Sequence, residues 1–542
     1  METIIKKMKS ISVLFAAGKI GHKFEKVFDS HSAFDLSLEF SFSIESSIKT
    51  VILVDSKNLS LVGQAISSFI KQNSAANEDS FKIVQNEDWT NSAVACAIAE
   101  ETALLNVDFA VFAWADNPFL NRNLNEQIIK NHLEYKAEYS FADGFAGGLT
   151  VEVVDSGAAS IIAELSKESL KSSGEKKAER NALFSIISAD INSFEIETVI
   201  ADKDYRMLRL NLEATSKSGL VLCKTLFEIA KNNAINLKNG DFDAYKLLDL
   251  AEQSALIQQS LPSFYNVQIS NSYNTKSLYC PYEKIDFKRE LKNMALSDFK
   301  VLVKKIVDFS EEATVSLSLF GEPCLNQDFC DFAAEVLKYE GLKLFIETDG
   351  LCFGEETAKK IRDFANSDER VFIALKLDAF DGAMYQKINA LPQEYFEKAL
   401  ACVSMLQKYF RGCVYPQFTR MKANESQLES FFRFWSEKTS PSFGKVLIMK
   451  YDSFARLLSD EKVADLSPLE RNACWHLRRD MNILSDNSVI VCKSRFQEIA
   501  GNALDEDFEK IWRNLTAEVQ NHIEKKYCQK CLDCDEFYTF NF

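Results

Sequence analysis

The sequence predicts an α/β protein: an open, mostly parallel sheet, then a partial (β/α) barrel, then a small cysteine-rich module. Short continuous apolar runs alternate with helical stretches along most of the chain, the pattern of parallel strands covered on both faces. Acidic and polar residues follow one strand run after another, where open sheets and barrels gather their sites. Of the 13 cysteines, Cys528, Cys531 and Cys534 fall within seven positions near the end.

The chain has 542 residues, 46% apolar and 26% charged, with 8 prolines and 18 glycines. That is a globular composition long enough for several cores. It contains no low-complexity tract and no repeat of a solenoid. No apolar run approaches the roughly 18 residues of a membrane span. A net charge of −16 argues against a broad nucleic-acid-binding face. "KKMKSISVLFAAG" orders its charges like a secretory signal, but its apolar run is short. It reads instead as a first buried strand, Ser12 to Ala17, closed by a glycine turn. With cysteines unevenly clustered, a cytoplasmic chain with reduced thiols or a metal site is expected.

Residues 1–205 form the first expected domain. Lys49 to Asp55, Phe81 to Gln85 and Asp108 to Asp116 read as strands, separated by helices at Leu61 to Gln72 and Ser92 to Leu105. Two loops follow strand ends. In "FAAGKIGHKFEK" the glycines let backbone N–H groups approach a phosphate. In "WADNPFLN" a strand-end Asp116 precedes a proline-stiffened turn. Together these loops resemble the nucleotide-sugar cytidylyltransferases, and the resemblance implies a nucleotide in the glycine loop and Mg²⁺ on Asp116. The pattern departs in having one residue too many between its glycines, and in offering His22 and Lys23 where an arginine is usual. Asp204 is the expected second acid. The alternative is a fold kept without its chemistry.

Residues 206–262 read as a helical connector. From 263 to 455 the alternation resumes, with strand runs in "TVSLSLFGEP", "KLFIETDG", "RVFIALKLD" and "VYPQFTRMKANE" and helices such as Gln327 to Tyr339 and Glu355 to Asn366. Their polar ends are Gly321, Glu322 and Pro323, then Thr348, Asp349 and Gly350, then Asp378, all expected on one rim of a partial barrel.

Residues 456–542 carry the ligands. Cys474 and Cys492 flank a hairpin whose turn residues, Asp486 and Asn487, both tolerate positive φ. With Cys528, Cys531 and Cys534 they make five thiols, more than the four that zinc or an iron–sulfur cluster requires. His476 and His522 are further zinc donors, and chemistry alone leaves the two metals open. The stretch from Cys474 through Gly501–Asn502 and Ile511–Trp512 to the closing cysteines resembles a SPASM domain, the iron–sulfur module appended to radical S-adenosylmethionine enzymes. That resemblance implies one auxiliary [4Fe–4S] cluster held by four of the five cysteines. It also makes the barrel similar to a radical S-adenosylmethionine core, in which Gly321-Glu322-Pro323 meets the methionine amino group. The core's C-x3-C-x2-C signature falls on Tyr273, Ser277 and Cys280, so two of three thiolates are missing. Losing two ligands costs on the order of 5 kcal/mol or more, enough to empty the site. Cys324 and Cys330 are the substitutes to examine.

The whole chain resembles the spiro-SPASM family. The expected function is a cytoplasmic iron–sulfur protein with a structural or electron-passing cluster, a vestigial S-adenosylmethionine site and a rim open to a peptide, protein or nucleotide, without a membrane. The rivals are an active radical enzyme modifying a peptide or protein, a nucleotidyltransferase working through Asp116, and a zinc-stapled interaction protein.

Overall fold

The computed structural model describes residues 8–19, 21–173, 177–281, 284–285, 292–365, 368–534 and 536–538. It is mixed α/β with two parallel-rich sheets, and divides into two units between Gln258 and Gln259.

The first unit holds strands β1 (Ser10–Phe15), β2 (Ser47–Val54), β3 (Phe81–Gln85), β4 (Phe109–Trp114), β5 (Tyr139–Asp143), β6 (Glu152–Asp155) and β7 (Ile196–Ile200), ordered β3-β2-β1-β4-β6-β5-β7. The four strands from β3 to β4 pair in parallel, and β6 runs antiparallel between β4 and β5. Every residue of β1 is buried. Its alternate side chains enter two cores, Leu14 with Ile52 and Phe109 on one face, Val13 and Phe15 with Val51 and Phe112 on the other, as a strand covered on both sides requires. The helix expected from Leu61 begins earlier, at Ser56, because the Asp55 carboxylate caps it through the Asn58 N–H. Beyond β7, helices Lys217–Asn232, Ala244–Gln253 and Ala255–Gln258 place Leu226, Leu247 and Ile257 in the same core as Leu14.

In the second unit β8 (Phe264–Val267), β9 (Ala313–Ser316), β10 (Leu342–Thr348), β11 (Val371–Lys376), β12 (Val414–Arg420) and β13 (Leu447–Lys450) pair in parallel in chain order, the topology of a partial barrel. β9 stops at Ser316, shorter than its apolar run, because Phe320 turns with φ 48° and Gly321 backs onto Ser270. A Cβ at Gly321 would stand 2.1 Å from the Ser270 carbonyl oxygen. Strands β14 (Asp480–Ile483), β15 (Ser488–Ile490) and β16 (Ile499–Asn502) continue this sheet, β14 pairing in parallel with β8. The hairpin forms as expected, with one change: Asn487 takes positive φ (67°), whereas Asp486 stays in the ordinary region and accepts the Ser488 N–H. Among the described residues, no helix is long and apolar enough to cross a membrane.

Candidate functional site

A cavity of about 200 Å³ opens at the strand ends of the second unit. Tyr273, Ser277, Cys280, Glu347 and Lys376 line one wall, and Cys474, Cys492, Cys534, His476 and Lys493 the other. The lone cysteine of the barrel loop and three of the terminal cysteines therefore face one space.

Local structure sets the terminal thiols. Cys474 precedes the short helix Trp475–Arg479, so the His476 and Leu477 N–H groups turn toward its sulfur. Cys492 precedes the turn Lys493–Arg495, with the Ser494 and Arg495 N–H groups in the same role. The Glu536 N–H donates to Cys534 Sγ at 3.4 Å. Cys531 is buried, hydrogen-bonds Cys528, and sits on the turn Gln529–Leu532. Burial pushes Cys474 up to about 11, and Cys492 and Cys531 up to about 12, with mutual repulsion adding to it. Cys474, Cys492, Cys531 and Cys534 act electrostatically on one another, whereas Cys528 is exposed and hydrogen-bonded to Cys531. Among the described residues no three His, Cys, Asp or Glu groups stand at metal-binding distance. Protonated thiols have no charge to draw them onto a common centre; metal loading removes those protons. The donor set, with backbone N–H groups already aimed at three sulfurs, fits an iron–sulfur cluster. His522, a possible zinc donor in the sequence, is buried and uncharged, burial lowering it to about 4.

The barrel rim is organised differently. Glu322 is 1% exposed; its Oε1 accepts from Thr348 Oγ1 (2.7 Å) and its Oε2 from the Asp349 N–H (2.9 Å). Burial raises the pKa of both Glu322 and Asp349. Burial alone would discharge Lys376, but Glu347, then Glu322 and Asp349, outweigh it and hold the ammonium firmly charged. Glu347 is half-buried, and against that desolvation Lys376 and Gln417 bring its pKa below the usual value. Asp378 is pushed up to about 6 by burial, although Tyr279 Oη and the Thr419 N–H each donate to it at 2.6 Å. The positions expected for thiolates are engaged internally: Tyr273 hydrogen-bonds Cys280, and Ser277 Oγ bonds Asn389 Oδ1 (2.6 Å) and Thr275 Oγ1 (3.1 Å). Cys324 sits against Thr348 instead, and neither it nor Cys330 is among the residues lining the cavity. This rim does not fit a second cluster.

In the first unit Asp116 lies just past β4, 4% exposed, and its Oδ2 accepts from Arg180 Nη2 at 2.5 Å. Arg180 Nη1 donates to Asn117 Oδ1 (3.2 Å), Nε faces Glu213 Oε2 (3.3 Å), and the guanidinium lies 4.6 Å over the Trp114 ring. The Ala214 N–H donates to the Asp116 carbonyl, which brings Glu213 alongside. The expected second acid is therefore corrected: Asp204 is exposed and bound to Arg206, while Glu213, nine residues on, stands beside Asp116. Lys23 is buried, and burial lowers it to about 8 against the pull of Asp116 and Asp55; its Nζ donates to the Ala16 and Lys19 carbonyls. The Gly18 N–H, expected to face a phosphate, donates to Asp55 Oδ2 at 2.9 Å. This arrangement does not fit Mg²⁺, because an arginine already occupies the carboxylates. Sequence reasoning passed over Arg180, Glu213, Glu347 and Lys376. Lys376 was legible as a cation inside a buried strand run; Arg180 carried no local pattern.

The SPASM family model, an iron–sulfur cluster-binding domain, matches residues 474–535, which include all five terminal cysteines. An uncharacterized protein of Treponema pallidum (strain Nichols) is 36% identical over 373 residues, covering 66% of this chain and 98% of its own length. An uncharacterized protein of Methanocaldococcus jannaschii is 25% identical over 150 residues, 28% of this chain and 45% of its own. Similar solved structures include BtrN in complex with AdoMet and 2-DOIA (15% identity, 51% of this chain and 93% of that one, TM-score 0.34). They also include anSMEcpe with bound AdoMet (14%, 49% and 84%, TM-score 0.38) and a cytidylyltransferase from Leptospira borgpetersenii (13%, 47% and 98%, TM-score 0.36).

Proposed function

The chain belongs to one family with the Treponema pallidum protein, and we propose that it is an iron–sulfur protein of the radical S-adenosylmethionine/SPASM type, spiro-SPASM subtype, whose barrel carries no cluster. Its SPASM domain would hold one [4Fe–4S] cluster on Cys474, Cys492, Cys531 and Cys534. Bound there, such a cluster supplies a structural staple and one-electron chemistry. One contrast carries the reading. Four terminal thiols lie near enough to act on one another electrostatically, three with backbone N–H groups turned to the sulfur, while Cys280 is a single thiol whose expected partners are hydrogen-bonded within the protein. Cys528, the exposed one of the five, stays outside the ligand set.

The chain's own groups do the rest. Backbone N–H donors lower the cost of four thiolates in a buried site. Lys376 neutralises the rim carboxylates, and the cavity between the two walls is the place for a peptide, protein segment or nucleotide. The first unit is a nucleotidyltransferase-like fold, and the compartment is the cytoplasm.

The test is iron and acid-labile sulfide per chain after anaerobic purification. About four irons, retained in Cys528→Ser and lost in Cys474→Ser, Cys492→Ser, Cys531→Ser and Cys534→Ser, is the expected result. About eight, with cleavage of S-adenosylmethionine to 5′-deoxyadenosine, would establish an active radical enzyme instead. One zinc and no iron would leave a stapled interaction protein. Pyrophosphate release from a nucleoside triphosphate, abolished by Asp116→Ala, would move the activity to the first unit.

A further inference from the structure

The strand-end site of the first unit has the oxygen donors of a hard-cation site. Asp116 and Glu213 supply two carboxylates, and Asn117 a carbonyl, around one guanidinium. Hard divalent cations take such oxygens. Asp116 Oδ1 is buried and has no hydrogen-bond partner among the described residues. An acceptor so placed points to a cation beside it.

Arg180 reaches all three donor groups with one guanidinium, Nη2 to Asp116, Nη1 to Asn117 and Nε to Glu213. Its backbone is anchored nearby: Lys177 bridges Thr90, the Ala178 N–H donates to the Trp89 carbonyl, and the Glu179 N–H to Asn91 Oδ1. Stacking on Trp114 fixes the plane of the fork. The phosphate side is satisfied internally too, since the Gly18 N–H is held by Asp55 and the Lys23 ammonium by backbone carbonyls.

We propose that Arg180 is the resident cation of this two-carboxylate site, holding the place of a divalent metal, so that the site binds no Mg²⁺ or Mn²⁺ unless the arginine is removed. A second cation at Asp116 Oδ1 would lie beside the guanidinium and be repelled by it. Removing the guanidinium leaves two carboxylates and the Asn117 amide oxygen facing one another, two negative charges against the single Lys23 ammonium, and that arrangement recruits a hard cation.

The experiment uses the cluster-loaded full chain, titrated with Mn²⁺ and followed by the electron paramagnetic resonance signal of the free ion. Wild type and Asp116→Asn are expected to titrate identically. Arg180→Ala and Arg180→Gln should each gain roughly one Mn²⁺ per chain, the stoichiometry of a single hard-cation site. Asp116→Asn in the Arg180→Ala background should remove it. A wild-type Mn²⁺ site that Asp116→Asn abolishes overturns the proposal, as does wild-type behaviour in both Arg180 variants when circular dichroism shows them folded. Should neither Arg180 variant fold, the comparison of wild type with Asp116→Asn decides alone. Iron content is independent of every arm, so failure here leaves the reading of the second unit untouched.

Discussion

Lys376→Met removes the one ammonium that Glu347, Glu322 and Asp349 share and leaves a side chain of similar length. Glu322 and Asp349 then lose their cation, and Glu347 keeps the weaker pull of Lys493. Removing one partner from a buried charge arrangement costs about 3–5 kcal/mol. No carboxylate among the described residues lies within direct ion-pair contact of Lys376, and Lys376 and Glu347 are only half-buried, so a smaller loss, about 2–3 kcal/mol at pH 8, is expected. The sign with pH is fixed. In the wild type Glu347 lies below its ordinary value, so its contribution is present above the unfolded pKa and lost as pH falls through the folded one. In the variant Glu347 keeps Gln417 and Lys493, and Glu322 and Asp349, already raised by burial, lose the Lys376 pull that opposed it. The contribution of Glu322 and Asp349 is then intact below the unfolded pKa and lost as pH rises through the folded one. The variant is thus weakest at pH 8 and recovers toward pH 5. Thermal unfolding of the anaerobic, cluster-loaded chain, followed by the cluster's visible absorbance, reports on the second unit by itself. At about 2–4 °C per kcal/mol, a fall of roughly 4–12 °C at pH 8 is expected, at least halved at pH 5. Melting at the wild-type temperature at pH 8, or an equal fall at both pH values, refutes the shared-cation argument.

Asp378→Asn should flatten the pH dependence of the same transition. With its folded pKa raised to about 6, Asp378 stabilises the wild type below its unfolded pKa and loses that contribution as pH rises through 6, a difference of about 1 kcal/mol between pH 5 and 7.5. An unchanged slope in the variant counts against the raised value. Gly321→Ala puts a Cβ 2.1 Å from a backbone oxygen that cannot yield as a side chain would; it should destabilise the second unit by about 3 kcal/mol in anaerobic urea unfolding, and wild-type stability would mean that the close approach is not real. The double variant Tyr273→Cys/Ser277→Cys should raise iron from about four to about eight per chain on reconstitution; iron held at four means that more than missing thiols keeps the barrel loop empty.

Strand runs were legible where burial is two-sided, because β1, β2, β4, β10 and β11 then write themselves as unbroken apolar stretches. β9 was overread, since the apolar run from Leu317 to Phe320 packs in a turn rather than in the sheet. The cysteine set was readable because thiols at two-residue spacing are rare outside metal sites. Glu213 was missed because its position depends on a backbone bond from Ala214 to the Asp116 carbonyl, a contact between segments nearly a hundred residues apart. Arg180 lies in a polar stretch with no periodicity, and only the fold brings it to Asp116. Paired carboxylates can be guessed from strand ends; the cation that neutralises them cannot.

That last point ties together the two strand-end sites. Parallel α/β sheets collect acids at the carboxyl ends of their strands, and buried carboxylates without a counter-charge are destabilising. A metal or cationic cofactor is one remedy; a lysine or arginine from the fold is another, and it is present as soon as the chain folds. Arg180 among Asp116 and Glu213, and Lys376 among Glu347, Glu322 and Asp349, both follow the second course. The terminal thiols do not. Burial keeps them protonated and neutral, so the folded chain tolerates them with no resident cation, and they gain charge only as a metal takes their protons. Iron loading should accordingly fall steeply with acidification, because four protons must leave, while the two strand-end sites need no added ion at any pH at which their arginine and lysine stay charged.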